Sequence, residues 1–448
     1  MRVASVLLLS VALAGSAMGQ PLAFGSSDDV LELGSSIRPE ERFRAAGYLG
    51  PAYLPDTWRG AGRLEVEALA GRLSIGLGGT VHSGDNGLYA PEGDELYDLA
   101  RLVRYVRLNS TAADRAYLRL GPTERVTLAS GALARGYRTT SAWDERSIGL
   151  EGALEAGRFR VAGFADDVLR LDGVVGGELE VDLDATVGPV RGIGVTVAGV
   201  HDLGRTGITG DSSLTGVEVV ARGTLPGIGP LDLEPYATHA RYLGQGSTLG
   251  GGVRIGSENV GDVFRGSVGA GVFASTPGFV PGHVGPFYSI SNATERIVDD
   301  RGFFESPRRI ELAGTPLDSV RSALDLVLDV QILAFGRFEL SQHYRRHIGE
   351  KTASAFAFRA AGRLPGQGRI EFALERQDFR GFFDLIQDLG QLNTLVLDVQ
   401  VPVGRRGVVF VRSRYGYRRL TDADGLEDDD RFLVERRFEP LIGVRLGQ

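Results

Sequence analysis

The stretch Leu324-Asp325-Leu326-Val327-Leu328-Asp329-Val330-Gln331 decides the fold. Its odd and even positions differ in character: Leu324, Leu326, Leu328 and Val330 are apolar, while Asp325, Asp329 and Gln331 hold the other parity. Only an extended strand sends successive side chains to opposite faces. The same period of two recurs in Glu178-Leu179-Glu180-Val181-Asp182-Leu183-Asp184. It recurs again where Ile370, Phe372 and Leu374 alternate with Glu371 and Glu375. Near the C-terminus Val409, Val411, Tyr415 and Tyr417 share one parity and Arg412, Arg414 and Arg418 the other. Helical periodicity is nearly absent, with Phe379 to Leu392 the one stretch that suits a short helix. The expected fold class is therefore all-β.

Working outward, alternating segments cover most of the chain after about residue 60, among them 62–69, 73–82, 124–135, 317–333 and 431–446. They run longer than ordinary strands and match the ~9–11 residues that a tilted strand needs to cross a bilayer. Tight joints such as Ala156-Gly157, Gly188-Pro189 and Gly404-Arg405-Arg406-Gly407 tend to alternate with the longer polar stretches 83–99, 203–213, 276–316, 377–392 and 420–430. The rhythm breaks once, at Gly121-Pro122, where two short joints follow each other. No repeat of 20–50 residues argues for a propeller or solenoid.

Composition narrows the class. The chain has 448 residues, 64 of them Gly, and no Cys. It lacks the means for disulfides, thiol catalysis or Cys-ligated metal. A net charge of −8 disfavours non-specific nucleic-acid binding. Arg2 followed by the apolar run Val3 to Ala14 and the small residues before Gly19 reads as a secretory signal peptide, residues 1–19, cut before Gln20. No other run is apolar and long enough for a transmembrane helix. Residues 20–60 lack alternation and are expected to be a periplasmic leader or small plug, with a barrel over 61–448.

A sandwich would also alternate. Long and numerous strands, a densely charged polar face and in-strand glycines such as Gly192, Gly194, Gly266, Gly269 and Gly271 favour closure into a barrel instead. On these features the chain resembles a bacterial outer-membrane β-barrel of the porin-like kind. That resemblance implies a closed antiparallel transmembrane barrel in the Gram-negative cell envelope, with short periplasmic turns and long extracellular loops. About 18 strands are expected, within a range of 14–20, and an even number keeps both termini on one side. Tyr105, Tyr344, Tyr415 and Tyr417 are expected in interfacial girdles. One departure is that the chain ends on Gln448, where many such barrels end on an aromatic.

The expected function is passage or binding of small hydrophilic solutes through a polar lumen. Its lining is expected from Asp325, Asp329, Arg337, Glu339, His343, Arg345, Glu371, Glu375, Arg412 and Arg414. Outer-membrane lipid and small hydrophilic solutes are the expected partners, with no nucleic acid, no cofactor and no enzymatic activity. The alternatives are a plugged structural or partner-scaffold barrel, and an outer-membrane hydrolase built around Glu339, Ser341 and His343. His343 and His347 stand four residues apart on one strand face, about 13 Å, too far to share one metal ion. The loop from Asp422 to Asp430 opens with a calcium-like Asp-x-Asp-Gly, and Asp422, Asp424 and Asp428 are its ligand candidates. The stretch 276–316 carries the aromatic residues Phe279, Phe287, Tyr288, Phe303 and Phe304, and part of it is expected either to fold into the lumen or to form an outward flap.

Overall fold

The computed structural model describes residues 43–447, except 55–56, 85–86, 90–98, 101, 110–114, 124, 140–146, 172, 184, 204–213, 226–230, 261–263, 289–296, 301–307, 312–320, 336–337, 349–353, 365–367, 378, 380–392, 405 and 420–431. The calcium candidates Asp422, Asp424 and Asp428, Arg337, the suggested helix beyond Phe379 and the segment 1–42 lie outside the described residues.

Twenty antiparallel strands close into one barrel. In chain order they are β1 Phe43–Leu54, β2 Thr57–Ala70, β3 Leu73–Gly84, β4 Val103–Leu108, β5 Ala116–Gly121, β6 Gly149–Ala156 and β7 Phe159–Ala165. There follow β8 Val174–Asp182, β9 Arg191–Asp202, β10 Thr215–Thr224, β11 Asp232–Tyr242, β12 Ser247–Val260, β13 Phe264–Ser275 and β14 Ala323–Ala334. The last six are β15 Phe338–Ile348, β16 Ala355–Leu364, β17 Gly368–Gln377, β18 Asn393–Val403, β19 Gly407–Arg419 and β20 Phe432–Gly447. Each pairs with its neighbour in sequence, and β1 seals the ring against β20 from Arg44↔Gly447 to Tyr53↔Phe438. Short strands at Gly87–Leu88, Ile297–Asp300 and Arg308–Glu311 stand outside this ring.

The count corrects the expectation of about 18, and two local readings change with it. The stretch Phe43 to Leu54, expected in a leader or plug, is the strand that closes the ring, so the barrel begins at Phe43 rather than at 61. Its inward positions Ala46, Tyr48, Ala52 and Leu54 are nearly as apolar as its outward ones, so no alternation announces it. Conversely, 124–135 is not a strand of the wall. It belongs to the connection 122–148, whose described residues 125–139 form turns and bends with left-handed positions at Arg125, Ala129, Gly131 and Gly136, so its period of two in sequence does not mark a strand. Removing that strand also removes the break at Gly121-Pro122. Connections at one rim are 71–72, 109–115, 157–158, 183–190, 225–231, 261–263, 335–337, 365–367 and 404–406. The opposite rim carries 85–102, 122–148, 203–214, 276–322, 378–392 and 420–431, together with shorter joins.

The parity of β14 holds as read. Leu324, Leu326 and Leu328 are 38–42% exposed on the outside, whereas Asp325, facing inward, is 0% exposed. A belt of exposed Leu, Val and Ile runs round the barrel, while charges are packed within it. That inversion is what a hydrocarbon solvent selects: backbone groups paired in a closed ladder, apolar side chains outside, polar groups inside. The girdle expectation fails for three of its four tyrosines. Tyr105, Tyr415 and Tyr417 are buried. Tyr105 lies under the Arg107 guanidinium, Tyr415 under that of Arg436, and Tyr417 accepts a hydrogen bond from the Asn393 backbone N–H at 2.8 Å. The aromatics exposed at the rim that holds both strand ends are Phe43, Phe159, Phe335 and Phe338, which have no hydroxyl to satisfy.

Candidate functional site: a two-segment plug in a charged lumen

Two connections turn inward and meet inside the barrel. The first is Pro122 to Thr139, pinched at its base where the Thr139 N–H donates to the Thr123 carbonyl at 3.0 Å, with Val126 and Tyr137 bridged above. The second is Gly278 to Tyr288, the first part of the stretch 276–316, whose aromatics Phe279, Phe287 and Tyr288 are all buried. The two join as a short parallel bridge, Ala134↔Val284, with Arg135 N–H donating to the Val284 carbonyl at 3.0 Å and Gly282 N–H to the Ala132 carbonyl at 2.8 Å. Of the two outcomes expected for 276–316, its described first part takes the inward one.

One side of this plug is held by apolar packing. Leu128, Ala132, Leu133, Tyr137, Phe279, Val280 and Val284 form one buried cluster with inward-facing wall residues of β7 to β14, including Phe164, Val200, Ala240, Phe273 and Val327. The wall makes room with glycine. A Cβ on Gly216 would stand 2.7 Å from Leu133 Cδ2, and one on Gly176 2.9 Å from Leu128 Cδ1, both closer than carbon atoms approach. Phe279 stacks on Tyr242 with centroids 4.7 Å apart, and the Tyr242 hydroxyl donates to the Leu133 carbonyl at 3.0 Å.

Polar pins complete the attachment. Ala129 adopts a left-handed conformation, φ 48°, which turns successive N–H groups toward wall carboxylates. Its own N–H donates to Glu178 Oε2 at 2.6 Å, and that of Ser130 to Glu218 Oε1 at 3.1 Å. The Ser130 hydroxyl also bonds Glu218, which Thr238 supports at 3.0 Å. Tyr137 donates to Asp166 at 2.7 Å and Tyr288 to Asp202 at 2.7 Å. Burial and the neighbouring Asp166 carboxylate push the Tyr137 hydroxyl well above its usual range, so it stays a donor. Elsewhere on the plug the fastening is ionic. Arg135 reaches Asp329 at 2.8 Å, Arg138 reaches Glu375 at 2.6 Å, and Arg125 reaches the same carboxylate at 3.2 Å. His283 sits between the rings of Tyr242 and Tyr288, and burial, reinforced by Arg345, lowers its pKa to about 4. It is neutral at pH 7.

The remaining sector, β16 to β20 with β1 to β4, is filled by its own side chains. Arg359 is 2% exposed, bonded to Glu371 at 2.8 Å and 3.6 Å from Glu339. Arg412 binds Asp398 with both Nε and Nη2, and Arg414 reaches the same carboxylate at 3.2 Å. His82 and Glu439 stand 3.4 Å apart, and the Gln400 amide donates to the Tyr48 hydroxyl at 2.7 Å, joining β18 to β1 across two intervening strands. Between plug and wall remains a cavity of about 370 Å³.

The described members of the expected lining therefore fall into two groups. Asp329, His343, Arg345 and Glu375 border the cavity beside the plug, whereas Asp325, Glu339, Glu371, Arg412 and Arg414 lie in packed ion pairs. The Glu339–Ser341–His343 arrangement of the hydrolase alternative does not assemble. His343 Nδ1 lies 2.7 Å from Asp329 on β14, and Glu339 faces Arg359. His347 pairs separately with Asp325 at 3.0 Å, so the two histidines serve different carboxylates. Among the described residues no group of three potential ligands is placed to hold a metal ion. The sequence reading missed Arg125, Arg135, Arg138, Glu178 and Glu218. The available signal was the pair of abutting short joints at Gly121-Pro122, followed by Gly131 and Gly136.

A closed antiparallel barrel, apolar outside and charged within, is the architecture that a bilayer selects for a membrane-spanning sheet. No protein-family model matches the chain, and no curated protein sequence does. Among solved structures it is similar to in-vitro folded OmpT, an outer membrane protein of Vibrio cholerae, at 10% identity and a TM-score of 0.28, covering 91% of this chain and 96% of that one. It is similar to OpdL of Pseudomonas aeruginosa at 10% identity and 0.30, covering 90% and 98%. It is also similar to the siderophore receptor PirA of Pseudomonas aeruginosa at 11% identity and 0.37, covering 91% and 81%. At such scores no residue and no function carries over from them.

Proposed function

We propose that the protein is an outer-membrane channel that passes or binds small hydrophilic solutes, narrowed by the two-segment plug. The observation that carries this reading is the cavity beside the plug, walled by charged and polar side chains of strands from both sectors. Charged and polar groups set round such a cavity can orient and bind polar solutes. Residues 1–19 act as the export signal, the rim holding both strand ends faces the periplasm, and the rim carrying 276–322 faces outward. Exposed phenylalanines at the first rim suit a membrane interface.

A second reading, a plugged scaffold, is favoured by the density of pins on the plug and by the filled sector. Planar-bilayer recording separates the two. The channel reading expects discrete conductance steps from the whole chain and larger steps after deletion of 279–288. A barrel that shifts on unheated gels, as folded barrels do, yet stays electrically silent in both forms refutes the channel reading and leaves the scaffold.

A further inference from the structure

The ring closes where β1 meets β20, and there the ladder is interrupted. Pairing runs from Arg44↔Gly447 to Leu49↔Ile442, stops over Gly50, Pro51 and Ala52, and returns at Tyr53↔Phe438 in the same register. An unchanged register means that no residue is bulged out, so Pro51 stands directly opposite Pro440. Hydrogen-bonded pairs fall on alternate residues of an antiparallel ladder, and neither proline has an N–H to give. A proline pair therefore removes both bonds of one rung and, with them, the three pairings that the rung supports. The Pro440 carbonyl lies over Gly50, where a Cβ would stand 2.5 Å from its oxygen. Pro235 and Pro402, the other prolines within the ring's strands, face Val253 and Val408. On their far sides, with β2 and β19, β1 and β20 are paired without a gap across this stretch. Beyond the gap a single pair, Tyr53↔Phe438, holds the end of the seam.

The inner wall behind this gap is apolar. Tyr48, Ala52, Val408, Phe410 and Leu441 belong to one buried cluster there, and the Arg63 and Arg412 guanidiniums lie over the Phe410 ring at 5.1 Å each. Parting β14 from β15 would carry the Asp325–His347 and Asp329–His343 pairs towards hydrocarbon, where charge is costly. Parting β1 from β20 at the gap brings apolar side chains to apolar lipid and gives up few backbone bonds. We propose that this end of the seam opens sideways to admit one hydrocarbon chain of a membrane lipid, which lies against Ala52, Phe410 and Leu441. Such entry goes beyond the channel reading; it rests on that reading's membrane placement of the barrel but not on conduction.

The test is photo-crosslinking of the full-length barrel in phosphatidylcholine vesicles doped with a lipid whose acyl chain carries a diazirine, with adducts mapped by mass spectrometry. Leu49 and Ile442, exposed on the outer side, calibrate the yield. Adducts are expected also on inward Ala52, Phe410 or Leu441, and not on Ala198 or Phe273, which are as buried but paired on both sides. Pro51→Val with Pro440→Val supplies both missing donors and should cut the inward adducts about tenfold or more relative to Leu49. Tyr53→Cys with Phe438→Cys, in a chain without native cysteine, should lose them when oxidised and regain them on reduction. Should the valine pair fail to fold, the disulfide decides alone. Outward adducts without inward ones, or inward adducts undiminished by the disulfide, overturn the lipid entry alone. No adducts anywhere overturn the membrane placement with it. Inward adducts in a barrel silent in bilayers sink only conduction.

Discussion

Replacing Gly216 by valine tests how the plug is seated. Gly216 faces inward on β10, and its missing side chain leaves the space occupied by Leu133, which is fully buried. A Cβ there would meet Leu133 Cδ2 at 2.7 Å and Tyr242 Cδ1 at 2.9 Å, so valine cannot fit while the plug is docked. Overpacking of this kind costs about 1–3 kcal/mol. Leu133→Ala should cost about 2–5 kcal/mol through lost contact and the void left behind. The double variant should do better than the sum of the two, because the valine methyls enter the space that the leucine vacates, with a coupling of about 1–3 kcal/mol. The absence of native cysteine makes the assay direct. Ala132 is fully buried in the plug, and Ala132→Cys labelled by a hydrophilic maleimide reports how often the plug leaves its seat. Each ~1.4 kcal/mol lost on docking raises that rate about tenfold. Retention of the gel shift in every variant shows that the barrel itself is intact. Labelling rates unchanged by Gly216→Val, or a double variant whose effect is the simple sum, refute the seating described.

Further outcomes follow from the same contacts. Docking should weaken on acidification, because His283 is held at about 4 against about 6.5 when released, so the docked form binds fewer protons between those values. The stabilisation is complete above pH ~6.5 and is lost as pH falls towards 4. Ala132→Cys labelling should rise over that window, and His283→Phe should flatten the part due to this residue. Glu375→Gln removes the carboxylate that Arg125 and Arg138 share in a buried setting, a cost of about 3–5 kcal/mol that should appear as faster labelling. Glu371→Leu should lower the thermal unfolding temperature markedly, because it takes from the buried Arg359 its carboxylate partner at 2.8 Å.

Much of the wall was legible because a membrane barrel writes its two solvents into the sequence at a period of two. Leu324 to Gln331 shows this directly, and the inward placement of Asp325, Glu371, Glu375, Arg412 and Arg414 follows from the same parity. What escaped was decided by partners distant along the chain. Strand β1 faces small and aromatic neighbours on its inner side, so its alternation vanishes although it is paired on both sides. The segment 124–135 spaces apolar residues by two without forming a strand, because Leu128, Ala132, Leu133 and Ala134 reach one buried cluster through a series of turns. Tyrosines near strand ends were expected at the interface, but Tyr105 and Tyr417 turned out to have interior partners, which sequence spacing does not reveal. The carboxylates Glu178 and Glu218 were indistinguishable from other lumen acids until the backbone of Ala129 and Ser130 met them.

The ring is welded by its first and last strands, whereas both arms of the plug come from the middle of the polypeptide. The stopper can thus be seated on β7 to β14 while the wall is still an open curl. Joining β1 to β20 therefore closes the wall at a seam that carries none of the plug's apolar seat.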